Sequence, residues 1–161
     1  MFIGLGSNIS PEENLPQAVV FLSNRLVLES VSSVWETPPV GGGGPNYLNA
    51  VALIRTGLSP DNLRAKILRP IETQLGRVRT EDPNAPRTID LDILLFNEKI
   101  LDPGIWTEIY LAVPLAELYP TLENDQGVSL QDIASKLTGK YPIRQRGDVW
   151  TTRQQIAKVI K

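Results

Sequence analysis

Arg87-Thr88-Ile89-Asp90-Leu91-Asp92-Ile93-Leu94-Leu95-Phe96 is the stretch that decides how the rest of the chain is read. Its apolar residues, alternating at first and then consecutive, predict a buried strand from Ile89 to Phe96. Successive strand side chains point to opposite faces, so Asp90 and Asp92 share one face and Leu91, Ile93 and Leu95 the other. Two carboxylates at this spacing repel each other and resist burial unless something positive lies between them. A strand with one wet face would continue with polar residues, but Leu94 and Phe96 follow on the acidic side. A divalent-cation site is therefore favoured over a plain solvated pair. Arg77, Arg79 and Arg87 lie close by in sequence, with Arg64, Lys66 and Arg69 upstream. Carboxylates for a metal beside a set of arginines is the composition a polyphosphate site needs, because Mg²⁺ and guanidinium groups share the phosphate charge.

The composition removes many alternatives. With 161 residues and 42% hydrophobic content, one domain spanning 1–161 is expected. A net charge of -2 gives no global attraction to nucleic acid, so any basic site is local. The chain has no Cys and no His, which excludes disulfides, thiol chemistry, histidine triads and the usual zinc centres. A metal here takes oxygen ligands, which points to Mg²⁺, Mn²⁺ or Ca²⁺. The apolar run Met1 to Leu5 is too short for a signal peptide and no segment is long enough to span a bilayer, so a soluble cytoplasmic protein is expected.

In chain order, Phe2 to Leu5 reads as a first strand ending at Gly6-Ser7-Asn8. Ser10-Pro11-Glu12-Glu13 has the form of a capped helix start, but Pro16 argues for regular helix only from Asn14, with Leu15, Ala18, Val19 and Leu22 inward. Leu26 to Trp35 predicts a second strand. Glu36 to Pro45, with two prolines and four glycines, reads as irregular. Tyr47 to Arg55 predicts a further strand. Ser59 caps a helix with Leu63, Ile67, Ile71 and Leu75 on its apolar face, kinked at Pro70 and stopped at Gly76. Arg79 to Pro86 reads as a loop, Pro114 to Leu118 as one helical turn and Ser129 to Leu137 as a capped helix. The stretch from Asp148 to Lys161 is ambiguous. The expected fold is α+β, a ferredoxin-like βαββαβ core with an antiparallel sheet and helices on one face.

Taken together, Leu5-Gly6-Ser7-Asn8, Thr37-Pro38-Pro39, Tyr47-Leu48-Asn49-Ala50, Gly76-Arg77-Val78-Arg79 and Pro86 to Leu94 resemble the 6-hydroxymethyl-7,8-dihydropterin pyrophosphokinases in order and approximate spacing. The likeness runs from Phe2 to about Phe96 and returns at Val113-Pro114-Leu115. It implies transfer of pyrophosphate from ATP to a reduced pterin in folate biosynthesis, with release of AMP. Asp90 and Asp92 would then hold two Mg²⁺ ions, Glu72, Arg77, Arg79 and Arg87 would serve ATP, and Arg77 and Arg87 would join the two acids in catalysis. Thr37, Pro38, Val40 and Asn49 would read the pterin edge and Tyr47 would stack on its ring. The resemblance implies small-molecule partners only and a monomer, with a homodimer as the alternative.

Plainer roles remain open for several of these residues. Tyr47 fits a core aromatic, Asn49 a turn cap, Glu72 a solvated helix position, and Arg77 and Arg79 surface pairs with Glu81 and Asp82. The chain also departs from the family. Its members carry a Val-Pro-His stretch after the acidic strand, then an Arg and an aromatic before the later Pro-Leu. Here the region is shortened to Leu101 to Tyr110; the His and Arg have no counterpart, and Tyr110 stands where the aromatic would be. Weaker nucleotide than pterin binding is the expectation, with Trp106 either covering the adenine or packed in the core. A pterin-binding relative of weakened activity is the nearest alternative, and a ferredoxin-like nucleic-acid-binding module a more distant one.

Overall fold

The computed structural model describes residues 1–82 and 85–150. β1 (Phe2–Ser7), β2 (Val27–Val31), β3 (Trp35–Thr37), β4 (Tyr47–Arg55), β5 (Asp90–Phe96), β6 (Lys99–Ile100) and β7 (Arg144–Gln145) form one sheet. Its order is β6-β5-β1-β4-β3-β7, with β2 also pairing β4, and every pairing is antiparallel. Counting β2 and β3 as one interrupted strand, the order β5-β1-β4-β2/β3 is that of the expected βαββαβ core.

The strand expected over Leu26 to Trp35 is divided, because Ser32 leaves the ladder and bonds β4 with its side chain as well. Its N–H donates to the Val51 carbonyl at 2.8 Å and its hydroxyl accepts the Val51 N–H at 2.9 Å. Glu36 and Thr37, expected in the irregular segment, are the end of β3. Irregular backbone follows, and Gly41, Gly42, Gly43 and Gly44 all have φ between 76° and 95°, where a Cβ would be strained.

α1 runs over Pro11–Ser23, not from Asn14, and Pro16 lies within it. Ser10 takes a left-handed conformation and makes no side-chain cap, contrary to the expected capping box. α2 (Pro60–Leu63), a π-helical turn (Arg64–Leu68) and α3 (Arg69–Gln74) follow one another without a break. The π turn replaces the expected kink at Pro70: Pro70 has no N–H and its ring would strike the carbonyl one turn back, and a wider turn relieves both. The inserted residue rotates the helix, so Leu68 is fully buried while Ile67 packs at the edge of the core. Gly76, at φ 76°, ends α3 as expected, with the Arg77 N–H donating to Glu72 O at 2.9 Å.

One core lies between α1, α2, α3 and the face carrying Ile3, Leu5, Leu48, Ala50, Leu91 and Ile93. The expectation of helices on one face holds only for these crossover helices. α4 (Ile109–Leu118), a ten-residue helix where one turn around Pro114 was expected, and α5 (Leu130–Thr138) cover part of the other face. A β-bulge explains a second correction. Phe2 pairs Leu95 whereas Ile3 pairs Ile93, so Leu94 is the extra residue and Leu95 turns to the acid-bearing face. There it joins Val51, Leu94 and Leu115 in a second core. Most of the ambiguous stretch from Asp148, residues 151–161, lies outside the described residues.

Candidate active site

The site begins with two missing side chains. On the face of β1 opposite the crossover helices stand Gly4 and Gly6, opposite Asp92 and Asp90 of β5 on one side. On the other side Gly6 pairs with Asn49 of β4. A Cβ at Gly6 would come within 3.3 Å of Asn49 Oδ1, and one at Gly4 within 3.3 Å of a Leu94 methyl. The glycines thus form an open floor between the acids and the row Tyr47, Asn49. This floor was missed in the sequence, although the alternation Ile3-Gly4-Leu5-Gly6 contains it.

Above this floor is a recess of about 350 Å³, the size of a small-molecule site. Thr37, Pro38, Pro39, Val40, Tyr47 and Asn49 line one side of it, and Asp102, Glu108 and Tyr110 the other. Asn49 is not a turn cap. It is buried within β4 and its Nδ2 donates to Thr37 Oγ1 at 3.0 Å, which ties β4 to the residue before the Pro-Pro pair. Tyr47 is half-buried, lines the recess together with Arg87, and lies outside both cores. Trp106 packs against the second core and does not line the recess.

A second, polar recess adjoins the first through Asp90 and Asp92 and is lined by Arg64, Arg69, Glu72, Arg77 and Arg79; Lys66 is not part of it. Glu72 is buried, not solvated. Its Oε1 accepts from Arg77 Nη1 at 2.6 Å and from the Leu91 N–H at 3.0 Å, and its Oε2 from Arg79 Nη2 at 2.8 Å. The arginines therefore pair with Glu72 rather than with Glu81 and Asp82. Arg77 Nη1 also bonds Asp90 Oδ1, and Arg87 Nη1 reaches Asp90 Oδ2 at 2.6 Å.

These contacts make the two aspartates unlike. Burial opposes charge on Asp90, but Arg77 and Arg87 more than offset it and hold its carboxyl below the usual range. Among the described residues Asp92 makes no hydrogen bond or ion pair, and although its side chain is exposed it stands within the cleft shared by the two recesses. That enclosure, with Asp90 and Glu72 nearby, pushes its carboxyl up to about 6. Tyr110 is likewise raised to about 12 by burial and by Glu108 and Asp102. Asp92 thus faces Asp90, Glu72 and Asp102, and Arg77 offsets them only in part.

Comparison with known proteins places the chain in a family. The family described as 7,8-dihydro-6-hydroxymethylpterin-pyrophosphokinase matches residues 2–120. The chain belongs to this family. It is 38% identical over 136 residues to the 2-amino-4-hydroxy-6-hydroxymethyldihydropteridine pyrophosphokinase of Bacillus subtilis, covering 77% of this chain and 80% of that one. It is 35% identical over 145 residues to the protein of the same name from Pseudomonas aeruginosa, covering 83% and 88%. The segment Leu101 to Tyr110 is compact. Asp102 Oδ1 accepts the Gly104 N–H at 2.8 Å and starts a 3₁₀ turn, Pro103–Trp106, which runs almost directly into α4 and brings Glu108 and Tyr110 to the wall of the first recess. Among the described residues no helix is long and apolar enough to cross a membrane.

Proposed function

We propose that this chain transfers pyrophosphate from ATP to the hydroxymethyl group of 6-hydroxymethyl-7,8-dihydropterin, releasing AMP, as a step of folate biosynthesis. The observation that carries this reading is the meeting of an aromatic- and amide-lined recess with an arginine-lined one at Asp90 and Asp92. A flat ring with a fixed donor and acceptor edge suits the first, between Tyr47 and Tyr110 and against Asn49 and the Thr37 to Val40 backbone. A polyphosphate suits the second, facing Arg77, Arg79 and Arg87.

The donor set at the junction fits Mg²⁺. Every acidic ligand there is an oxygen, and Asp92 has no cationic partner of its own. Asp90 and Asp92 would hold two ions, which when bound neutralise phosphate charge and orient the phosphoryl group. Glu72 keeps Arg77 and Arg79 aimed at the phosphates, and Arg87 lies between the Asp90 carboxylate and Tyr47, where the two substrates meet. The hydroxymethyl oxygen attacks the β-phosphorus and AMP leaves. The hydroxyl proton passes to solvent without a strong base, since positioning and charge stabilisation dominate such transfers. We read the enzyme as a monomer working as one domain, and a cytoplasmic location suits its substrates.

Calorimetric titration tests the two halves separately. The pterin should bind without nucleotide, and a non-hydrolysable ATP analogue should bind only with Mg²⁺. Failure of the pterin to bind would remove the reading of the first recess.

A further inference from the structure

The segment that carries Thr37, Pro38 and Val40 needs an anchor, because four consecutive glycines follow it. Glu36 stands at the start of this segment and Asn46 at its end, and the two are joined: Asn46 Nδ2 donates to Glu36 Oε1 at 3.0 Å. The other carboxylate oxygen of Glu36 accepts from Arg144 Nε at 3.1 Å and from Arg146 Nη1 at 3.1 Å. Both arginines belong to the C-terminal part of the chain, beyond the residues 2–120 that match the family. β7 lies along the outer edge of β3, pairing Gln145 with Trp35 and Arg144 with Glu36, and the Arg146 N–H donates to Val34 O at 2.8 Å. Val149 is buried in the main core and Trp150 Nε1 donates to Ser32 O at 2.9 Å, so this strap is fastened at its far end too.

We infer that Glu36, staked by Arg144 and Arg146, is a positioning residue for the pterin: it closes the base of the loop 37–46 and fixes where the Pro-Pro backbone stands. One carboxylate oxygen ties the two ends of the loop together and the other ties the closed loop to the strap. Asn46, Arg144 and Arg146 hold its carboxyl down to about 2, so it remains a charged acceptor throughout neutral pH. The adjoining residue passes the constraint inward, because Thr37 Oγ1 accepts from Asn49 in the recess floor. The four glycines tolerate many conformations, and without fixed ends the loop would lose the recess geometry at an entropic cost on each binding event. On the phosphate side, Arg77 and Arg79 are held by Glu72 and Asp90 instead.

The inference rests on the first recess being the pterin site, and its test separates the two. Full-length wild type, Glu36→Ala, Glu36→Gln and Arg146→Ala are titrated with 6-hydroxymethyl-7,8-dihydropterin and, separately, with a non-hydrolysable ATP analogue plus Mg²⁺. Glu36→Ala should weaken the pterin about tenfold, the scale of one lost bond to a charged group, and leave the nucleotide within about twofold. Glu36→Gln, which keeps an acceptor for Asn46, and Arg146→Ala, which removes one stake, should fall between Glu36→Ala and wild type. Pterin affinity unchanged in Glu36→Ala would overturn the positioning role, as would equal losses for both ligands, which mark a general loss of structure. No pterin binding by the wild type would overturn the assignment of the recess and this inference with it.

Discussion

Asn8 grips the main chain of Arg87 on both sides. Its Oδ1 accepts the Arg87 N–H at 2.8 Å while its own N–H donates to the Arg87 carbonyl at 3.1 Å. Ser7 Oγ donates to the next carbonyl, that of Thr88. The end of β1 thus holds the segment entering β5 before regular pairing begins. This gives the Gly6-Ser7-Asn8 sequence a physical role: it sets the backbone from which Arg87 reaches Asp90.

Asn8→Ala leaves the Arg87 N–H without its acceptor and should cost about 1–3 kcal/mol of stability. Turnover should fall as well, because Arg87 loses its fixed origin. Asn8→Asp retains an acceptor oxygen and should recover most of both. Urea denaturation and steady-state rates of the two variants check this, and equal behaviour of Ala and Asp would remove the clamp from the account.

Asp92 gives a pH dependence of definite sign. Its folded pKa of about 6 lies above the ordinary value of 3.8. The stability it contributes is therefore fully present below the ordinary value and is lost as pH rises to about 6 and beyond. In metal-free protein at neutral pH, Asp92→Asn removes this penalty and should raise the melting temperature by up to a few degrees. The same change should sharply weaken Mg²⁺-dependent nucleotide binding. Wild-type binding should weaken as pH falls below about 6, where a proton competes with the cation. Thermal melts with and without EDTA, and titrations across this pH range, measure both; metal-dependent affinity unchanged in Asp92→Asn would exclude it as a ligand.

Tyr47 offers the first recess the face of its ring. Tyr47→Ala should lose roughly 1–3 kcal/mol of pterin affinity, on the scale of base–aromatic stacking, with little effect on nucleotide. Tyr47→Phe keeps the ring, so pterin affinity and turnover should both persist. Calorimetry and single-turnover rates separate the variants. Equal loss of both ligands in Tyr47→Ala would assign the residue to packing instead.

Much of this was legible in the sequence wherever local pattern and tertiary demand agree. The acidic strand, the helix stop at Gly76 and the βαββαβ order follow from alternation, glycine and the spacing of apolar runs. What was not legible depends on partners distant in sequence. The bulge at Leu94 arises only when β5 meets β1, and it carries Leu95 across the sheet. Glu72 reads as a solvated residue until Arg77, Arg79 and the Leu91 N–H surround it. α4 begins earlier than Pro114 suggests because the helix packs against β4 and α5, which overrides the local cost of an interior proline. β3 is short and β7, on its outer side, shorter still, and neither carries enough pattern alone. The apolar alternation of β1 was visible, but its glycines gained meaning as a floor only beside Asn49 and the two aspartates.

The central claim is transfer of pyrophosphate, and AMP release tests it most directly. Products are separated after incubation with ATP and Mg²⁺, with and without 6-hydroxymethyl-7,8-dihydropterin. The expected result is AMP and pterin pyrophosphate in equal amounts, formed only when pterin and Mg²⁺ are both present and lost in Asp92→Asn. The Leu101 to Tyr110 segment contains no Lys or Arg and so adds no cation to the phosphate side, and half-maximal rate should need more ATP than pterin. ADP in place of AMP, or AMP formed without the pterin, would contradict the transfer. Tight pterin binding with no AMP at all would show a binding relative that has lost the reaction.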